Sequence, residues 1–164
     1  VFAMLPRLLE RAGNGERGGI TGIYTVLVDG DDFNEPVADA ARSILDGHVV
    51  LTRKLAAAGH FPAIDVLDSK SRVRDNIVPV AQKEAANLLL RLEAAYREKE
   101  DLILVGAYQR GSDPMVDAAI ALREQALGFF QQRPDESSAY AMTQGTMTHL
   151  AGEIGRAASV GRLR

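Results

Sequence analysis

Residues 20–28 read Ile-Thr-Gly-Ile-Tyr-Thr-Val-Leu-Val. In an extended chain Ile23, Thr25 and Leu27 fall on one side and Tyr24, Val26 and Val28 on the other. Neither side is polar, which predicts a central strand covered on both faces, as in parallel sheets. An acidic loop follows, Asp29-Gly30-Asp31-Asp32-Phe33-Asn34-Glu35-Pro36. Val37, Ala40, Ala41, Ile44 and Leu45 then recur at helical spacing, closed by Asp46-Gly47. A second strand is expected at 48–52 and a brief helix up to Gly59. Strand, crossover helix and strand within about 35 residues is the size of a βαβ unit.

Upstream, Phe2, Leu5, Leu8, Leu9 and Ala12 have helical spacing, ended by the turn residues GNGERGG at 13–19. The chain starts with Val1, inside this helical pattern, which points to a longer protein. Residues 60–72 (HFPAIDVLDSKSR) read as irregular. From Pro79 the pattern is helical alone: Ala81, Ala85, Leu88, Leu92 and Ala95 line one face of a helix expected over 80–100. Gly106, Gly111 and Pro114 break it, and Ser112 or Asp113 is placed to cap a next helix running to about Gln132. The segment from Glu136 on promises only a weak helix that frays at its end. Two or three strands rarely make a sheet buried on both faces, so further strands are expected from outside this chain.

Composition narrows the chemistry. The 164 residues are 46% hydrophobic, enough for a folded core, and no apolar run approaches a membrane span. A formal charge of −3 argues against a general nucleic-acid coat. The absence of Cys excludes disulfides and thiol catalysis and suits a reducing compartment. His48, His60 and His149 lack metal-ligand spacing, and no Gly-x-Ser-x-Gly elbow occurs. No Gly-x-x-x-x-Gly-Lys-Ser/Thr loop is present to cradle β and γ phosphates. The carboxylates of the acidic loop lack the spacing of an EF-hand and read as a turn. Taken alone, the residues describe an α/β piece followed by helices, with no catalytic site complete within it.

Three stretches together resemble the flagellar branch of the type III protein export ATPases. They are the helix-like opening VFAMLPRLLERAG, the long stretch at 18–72 containing GDDFNEP, RSILDGHVVLTR, GHFPAIDVL and SKSR, and EDLILVGAYQRGSDPMVDAAIAL at 100–122. The resemblance ends near Pro134. The family is homologous to rotary ATP synthase α and β subunits. What it implies is the C-terminal part of a RecA-like P-loop NTPase core at 1–76, a small all-helical domain at 77–135, and a weakly helical or frayed tail at 136–164. The activity implied is hydrolysis of ATP with Mg²⁺ by a hexameric ring that drives export of flagellar proteins. The phosphate and metal ligands would lie outside this chain, leaving no metal site within it.

Carried over by position, Arg72 matches an arginine finger lent to the nucleotide of a neighbouring subunit. Lys70 departs from the usual apolar residue of that Ser-x-Ser-Arg motif. Phe61 and Pro62, with Phe129, Phe130 and Gln132, match the adenine pocket, Phe61 standing where Tyr is usual. Asp31, Asp32, Phe33 and Asn34 match a loop facing the central channel, and Gln109 and Arg110 a turn that meets the stalk. The partners implied are stalk and regulator proteins and chaperone–substrate complexes. The location implied is the cytoplasm, peripheral at the inner face of the cytoplasmic membrane by the export gate. Two other readings remain open at this stage: a stalk- or chaperone-binding module without catalysis, and the virulence-secretion homologue.

Overall fold

The computed structural model describes residues 4–28 and 35–160. The chain divides into two compact units, one of Val1–His48 with Lys70–Val73, the other of Val49–Ser69 with Arg74–Arg164.

The first unit opens with helix α1 (Leu5–Leu9), with Pro6 in its first turn, where a missing N–H costs nothing. Strands β1 (Gly13–Gly15) and β2 (Gly18–Ile20) pair antiparallel around Glu16 and Arg17, with Asn14 opposite Gly19. The turn expected at 13–19 is therefore a small hairpin. The central strand expected at 20–28 does not form: Ile20 ends β2, and residues 21–28 carry no regular structure. Ile23 is 92% and Leu27 90% exposed. An extended segment becomes a strand only where a neighbour accepts its ladder bonds, and none does so among the described residues. Helix α2 (Pro36–Ile44) is close to expectation, burying Ala38 and Ala41.

Strand β3 (Gly47–Leu51) pairs with β4 (Ile64–Ser71). The Thr52 N–H donates to Ala63 O at 2.9 Å and the Arg72 N–H to Asp46 O at 2.7 Å, so residue numbers rise on one strand as they fall on the other. The pair is antiparallel, its strands joined through helix α3 (Arg53–Ala57), and the βαβ unit expected over 20–52 lacks its first strand, since 21–28 carry no regular structure. The stretch read as irregular holds the longest strand. Asp65 and Ser69 hid it, because their side chains bond locally within β4 and to the N–H of Val50.

The rest of the second unit is helical. After the single turn α4 (Arg74–Ile77) comes α5 (Val80–Leu104), which buries Ala85, Leu89 and Leu92 as its 3.6-residue pattern requires. Both α3 and α5 close with the same device. The residue two past the last helical one is glycine at positive φ, Gly59 at 73° and Gly106 at 70°. In each case the glycine and its successor donate back to helix carbonyls, His60 to Leu55 and Ala107 to Leu102.

Asp113 caps α6 (Pro114–Ala121) by accepting from the N–H groups of Met115 and Val116. The helix expected to run on to Gln132 instead breaks at Leu122, after which α7 (Arg123–Phe130) starts. The segment expected to hold only a weak helix forms α8 (Tyr140–Val160), 21 residues long, which packs on α5 and α6. Leu150, Ala151 and Ile154 of α8 join Ala85, Leu89, Leu92, Ala118, Ala119 and Ala126 in one core. Met147 and Leu150 mark the apolar stripe of α8 in the sequence, and Ala151 and Ile154 complete it. No helix among the described residues is long and apolar enough to cross a membrane.

Candidate nucleotide-facing site

Arg72 follows directly on β4, and its side chain is exposed. Its guanidinium donates from Nη1 to Ser43 O at 3.2 Å and from Nη2 to Arg42 O at 3.1 Å. Both carbonyls lie in the last turn of α2, where helix geometry leaves C=O groups without partners and the helix dipole favours a cation. Arg72 thus closes α2 within its own chain. Two of its five N–H donors are used in this way. Lys70, beside it in β4, is exposed.

In the second unit, the glycine-closed end of α3 delivers His60 and Phe61 to the end of α7. The Gln132 N–H donates to Phe61 O at 3.0 Å, and the Gln131 amide nitrogen lies 3.3 Å from His60 Nδ1. His60 is buried, whereas Phe61 is 56% exposed and Pro62 is exposed beside it. With more than half its ring in solvent, Phe61 is not a core residue. Phe129 and Phe130 meet edge to face with centroids 5.7 Å apart, and both pack partly on the helical core. Gln132 Nε2 is turned to Glu136 O at 3.1 Å. Sequence reasoning grouped these residues, and the structure joins Phe61 to Gln132 through the backbone.

Gln109 and Arg110 sit exposed in the turn between α5 and α6. Asp117 organises this turn, accepting from Gly111 N–H at 2.8 Å and bonding Tyr108 Oη at 3.1 Å. Asp31, Asp32, Phe33 and Asn34 lie outside the described residues.

A charged chain that sequence reasoning missed runs behind the Phe61 segment. Arg97 Nη1 bonds both oxygens of Asp65, at 3.2 and 2.9 Å, and Arg97 Nη2 lies 3.9 Å from Glu93 Oε1. Glu93 Oε2 in turn accepts from Arg123, whose guanidinium stacks 4.0 Å above the centre of the Tyr96 ring. Asp65 and Glu93 are each only 7% exposed. Burial pushes the Asp65 carboxyl up, but the Arg97 hydrogen bond, the N–H groups of Asp68 and Leu67 and the Arg97 charge together hold it below its ordinary value. Burial likewise works against the Arg97 cation, and Asp65 more than offsets it. The visible signal was Glu93 and Arg97 four residues apart on α5, a spacing that places them on one face.

Residues 1–71 match the ATP synthase alpha/beta family, nucleotide-binding domain, and residues 78–149 match the T3SS EscN ATPase C-terminal domain. The chain carries part of an ATP synthase α/β-type nucleotide-binding domain followed by a T3SS EscN-type ATPase C-terminal domain. Family similarity thus runs past Pro134 and into α8, further than the sequence motifs suggested. The type 3 secretion system ATPase of Sinorhizobium fredii is 53% identical over 150 residues, 92% of this chain and 33% of that protein. The flagellum-specific ATP synthase of Bacillus subtilis is 51% identical over 152 residues, 93% of this chain and 35% of that protein. The solved structure of assembled EscN with its central stalk EscO, from the enteropathogenic E. coli type III secretion system, has a TM-score of 0.83 at 45% identity. It is matched over 92% of this chain and 35% of its own. The chain spans about a third of the length of the relatives it matches. The fold expected from the sequence stands: part of an ATP synthase α/β-type nucleotide-binding domain, then a helical C-terminal domain.

Proposed function

We propose that this chain is the C-terminal portion of a type III protein export ATPase that works as a hexameric ring in the cytoplasm, peripheral to the membrane at the export gate. Ring assembly and a stalk partner are drawn from the EscN–EscO relative. Regulator proteins and chaperone–substrate complexes are proposed as further partners, and the acidic loop at 31–34 with the turn at Gln109 and Arg110 as the stalk contacts. The flagellar branch is favoured by the run Gly106-Ala107-Tyr108-Gln109-Arg110-Gly111.

The observation that carries the nucleotide role is the union of the Phe61 segment with the end of α7. An adenine ring needs a flat apolar face, and half-exposed Phe61 offers one beside Pro62. Phe129, Phe130 and Gln132 stand at the end of the helix bonded to that segment. The triphosphate is gripped elsewhere, because the sequence has no phosphate-binding loop. The Mg²⁺ ligands, like those of the phosphates, are proposed to lie outside this chain. Alone, the chain would not hydrolyse ATP.

Arg72 supplies what a neighbouring subunit's site lacks: a guanidinium for the charge that gathers on the γ-phosphoryl oxygens. The test is Arg72→Ala in the full-length protein. ATP binding should persist while kcat falls by about 10³ or more. Unchanged turnover in assembled rings would end the assignment. Export of flagellar rather than virulence substrates, read by deletion and complementation in the source cell, decides the branch.

A further inference from the structure

We infer that Arg97 and Arg123, acting through Glu93 and Asp65, position the two walls of the proposed adenine pocket and so set affinity for the base of the nucleotide. The inference rests on the pocket reading above, and the residues concerned are outside it: none is among the candidate contacts with adenine.

The contacts form a closed circuit. The segment after α3 carries Phe61 and, four residues on, Asp65. Asp65 is gripped by both its oxygens from Arg97 of α5. One turn back on α5, Glu93 holds Arg123, the first residue of α7. The far end of α7 carries Phe129 and Phe130 and returns to the starting segment through Gln131 to His60 and Gln132 to Phe61. Helix α7 is therefore fixed at both ends, and the segment that bears Phe61 is fixed at two points.

Each link is of a kind that resists sliding. Arg97 Nη1 lies within hydrogen-bond reach of both Asp65 oxygens, a charge-assisted contact stronger than a neutral one. Asp65 and Glu93 are nearly out of solvent, so water is a poor substitute for either arginine. Tyr96 beneath Arg123 limits the directions in which that side chain can move. Cutting the circuit at Arg97 or at Arg123 frees one end of one wall without removing any aromatic ring. Stacking on adenine needs two faces held at a fixed gap, whereas grip on the phosphates does not depend on these walls. A loosened circuit should therefore cost affinity for the base alone.

The experiment uses the full-length protein with Arg97→Gln, Arg123→Gln and, as a control for the pocket itself, Phe61→Ala. Steady-state hydrolysis gives KM and kcat for ATP. Inhibition by tripolyphosphate, which carries phosphates and no base, gives the affinity of the phosphate subsite. Sedimentation confirms ring assembly. Expected for both arginine variants is a KM for ATP raised by about 5- to 20-fold, kcat within about 2-fold, and tripolyphosphate inhibition unchanged, the size of a lost positioning interaction of 1–2 kcal/mol. Equal losses toward ATP and tripolyphosphate, or loss of assembly in both variants, would mean a merely structural network and overturn the inference. An unchanged KM in both would overturn it as well. If Arg97→Gln alone fails to fold, Arg123→Gln cuts the same circuit from its other end and decides the matter. Phe61→Ala separates the two levels: unaltered ATP affinity there removes the adenine pocket itself, whereas a raised KM there with normal arginine variants removes only the positioning role.

Discussion

Helix α8 is the element whose importance the sequence concealed most, and Ile154 tests it. Its side chain is fully buried in the core shared by α5, α6 and α8. Ile154→Ala removes three buried carbons, about 2.4 kcal/mol at about 0.8 kcal/mol each. The neighbours are α-helices fixed by their own hydrogen bonds, and Ala118, Ala119 and Ala151 have no longer side chains to swing into the gap. A cavity contribution should then remain, bringing the total to about 3 kcal/mol, inside the usual range of about 2–5 for such a change. Urea unfolding of this chain, followed by far-ultraviolet circular dichroism, gives the difference from the shift of the midpoint at constant slope. Met142→Ala on the same helix is the control, because Met142 is 69% exposed and its loss should stay within about 0.5 kcal/mol. A loss below about 1 kcal/mol for Ile154→Ala, or one equal to the Met142 control, would show that α8 does not belong to the core.

Asp113→Ala removes the cap of α6 and should cost about 1 kcal/mol in the same urea assay, with Asp113→Asn costing much less. Gly106→Ala forces a side chain into the left-handed region at the end of α5, where the surroundings offer no clash, so strain alone should cost about 1–2 kcal/mol. Asp65 makes a pH prediction: its folded pKa is lowered, so its contribution is full above the ordinary carboxylate value of about 3.9 and is lost as pH falls through the lower folded value. The stability gap between the parent and Asp65→Asn should accordingly be constant near neutral pH and close below about pH 4, and a gap that widens in acid would contradict the sign of that shift.

Local rules were legible wherever one side chain or one periodicity decides the outcome. The stripe of Ala85 and Leu92 placed α5, Asp113 with Pro114 placed the start of α6, and Gly59 marked the end of α3. They failed wherever the deciding partner is distant. Residues 21–28 have the composition of a buried strand, yet a strand is a relation between two segments and none of the described residues supplies the second. The opposite error befell β4: Asp65, Ser69 and Lys70 look like loop residues until β3 is seen beside them and Arg97 is seen on Asp65. Family resemblance supplied the grouping of Phe61 with Gln132, which no periodicity contains. The charged circuit behind them joins residues from three separate elements and was invisible in a linear reading except as an i, i+4 pair on α5.

The in-chain bonds of Arg72 set a condition on its proposed role in trans. Arg42 and Ser43 offer it two neutral carbonyls at the negative end of a helix. Those bonds are exposed, so water competes with them at all times and the net preference for them is small. A γ-phosphate offers several charged oxygens, so full charges attract there where the helix carbonyls present only partial ones. Exchange of partners therefore runs towards the phosphate once a neighbouring subunit brings one within reach. It does not even have to be complete, because only two of five N–H donors are engaged and the planar fork can keep one carbonyl while it turns the remaining donors outward. The C-terminal end of α2 then acts as a rest that keeps the guanidinium extended along one line of approach, which lowers the entropy lost when it meets the nucleotide.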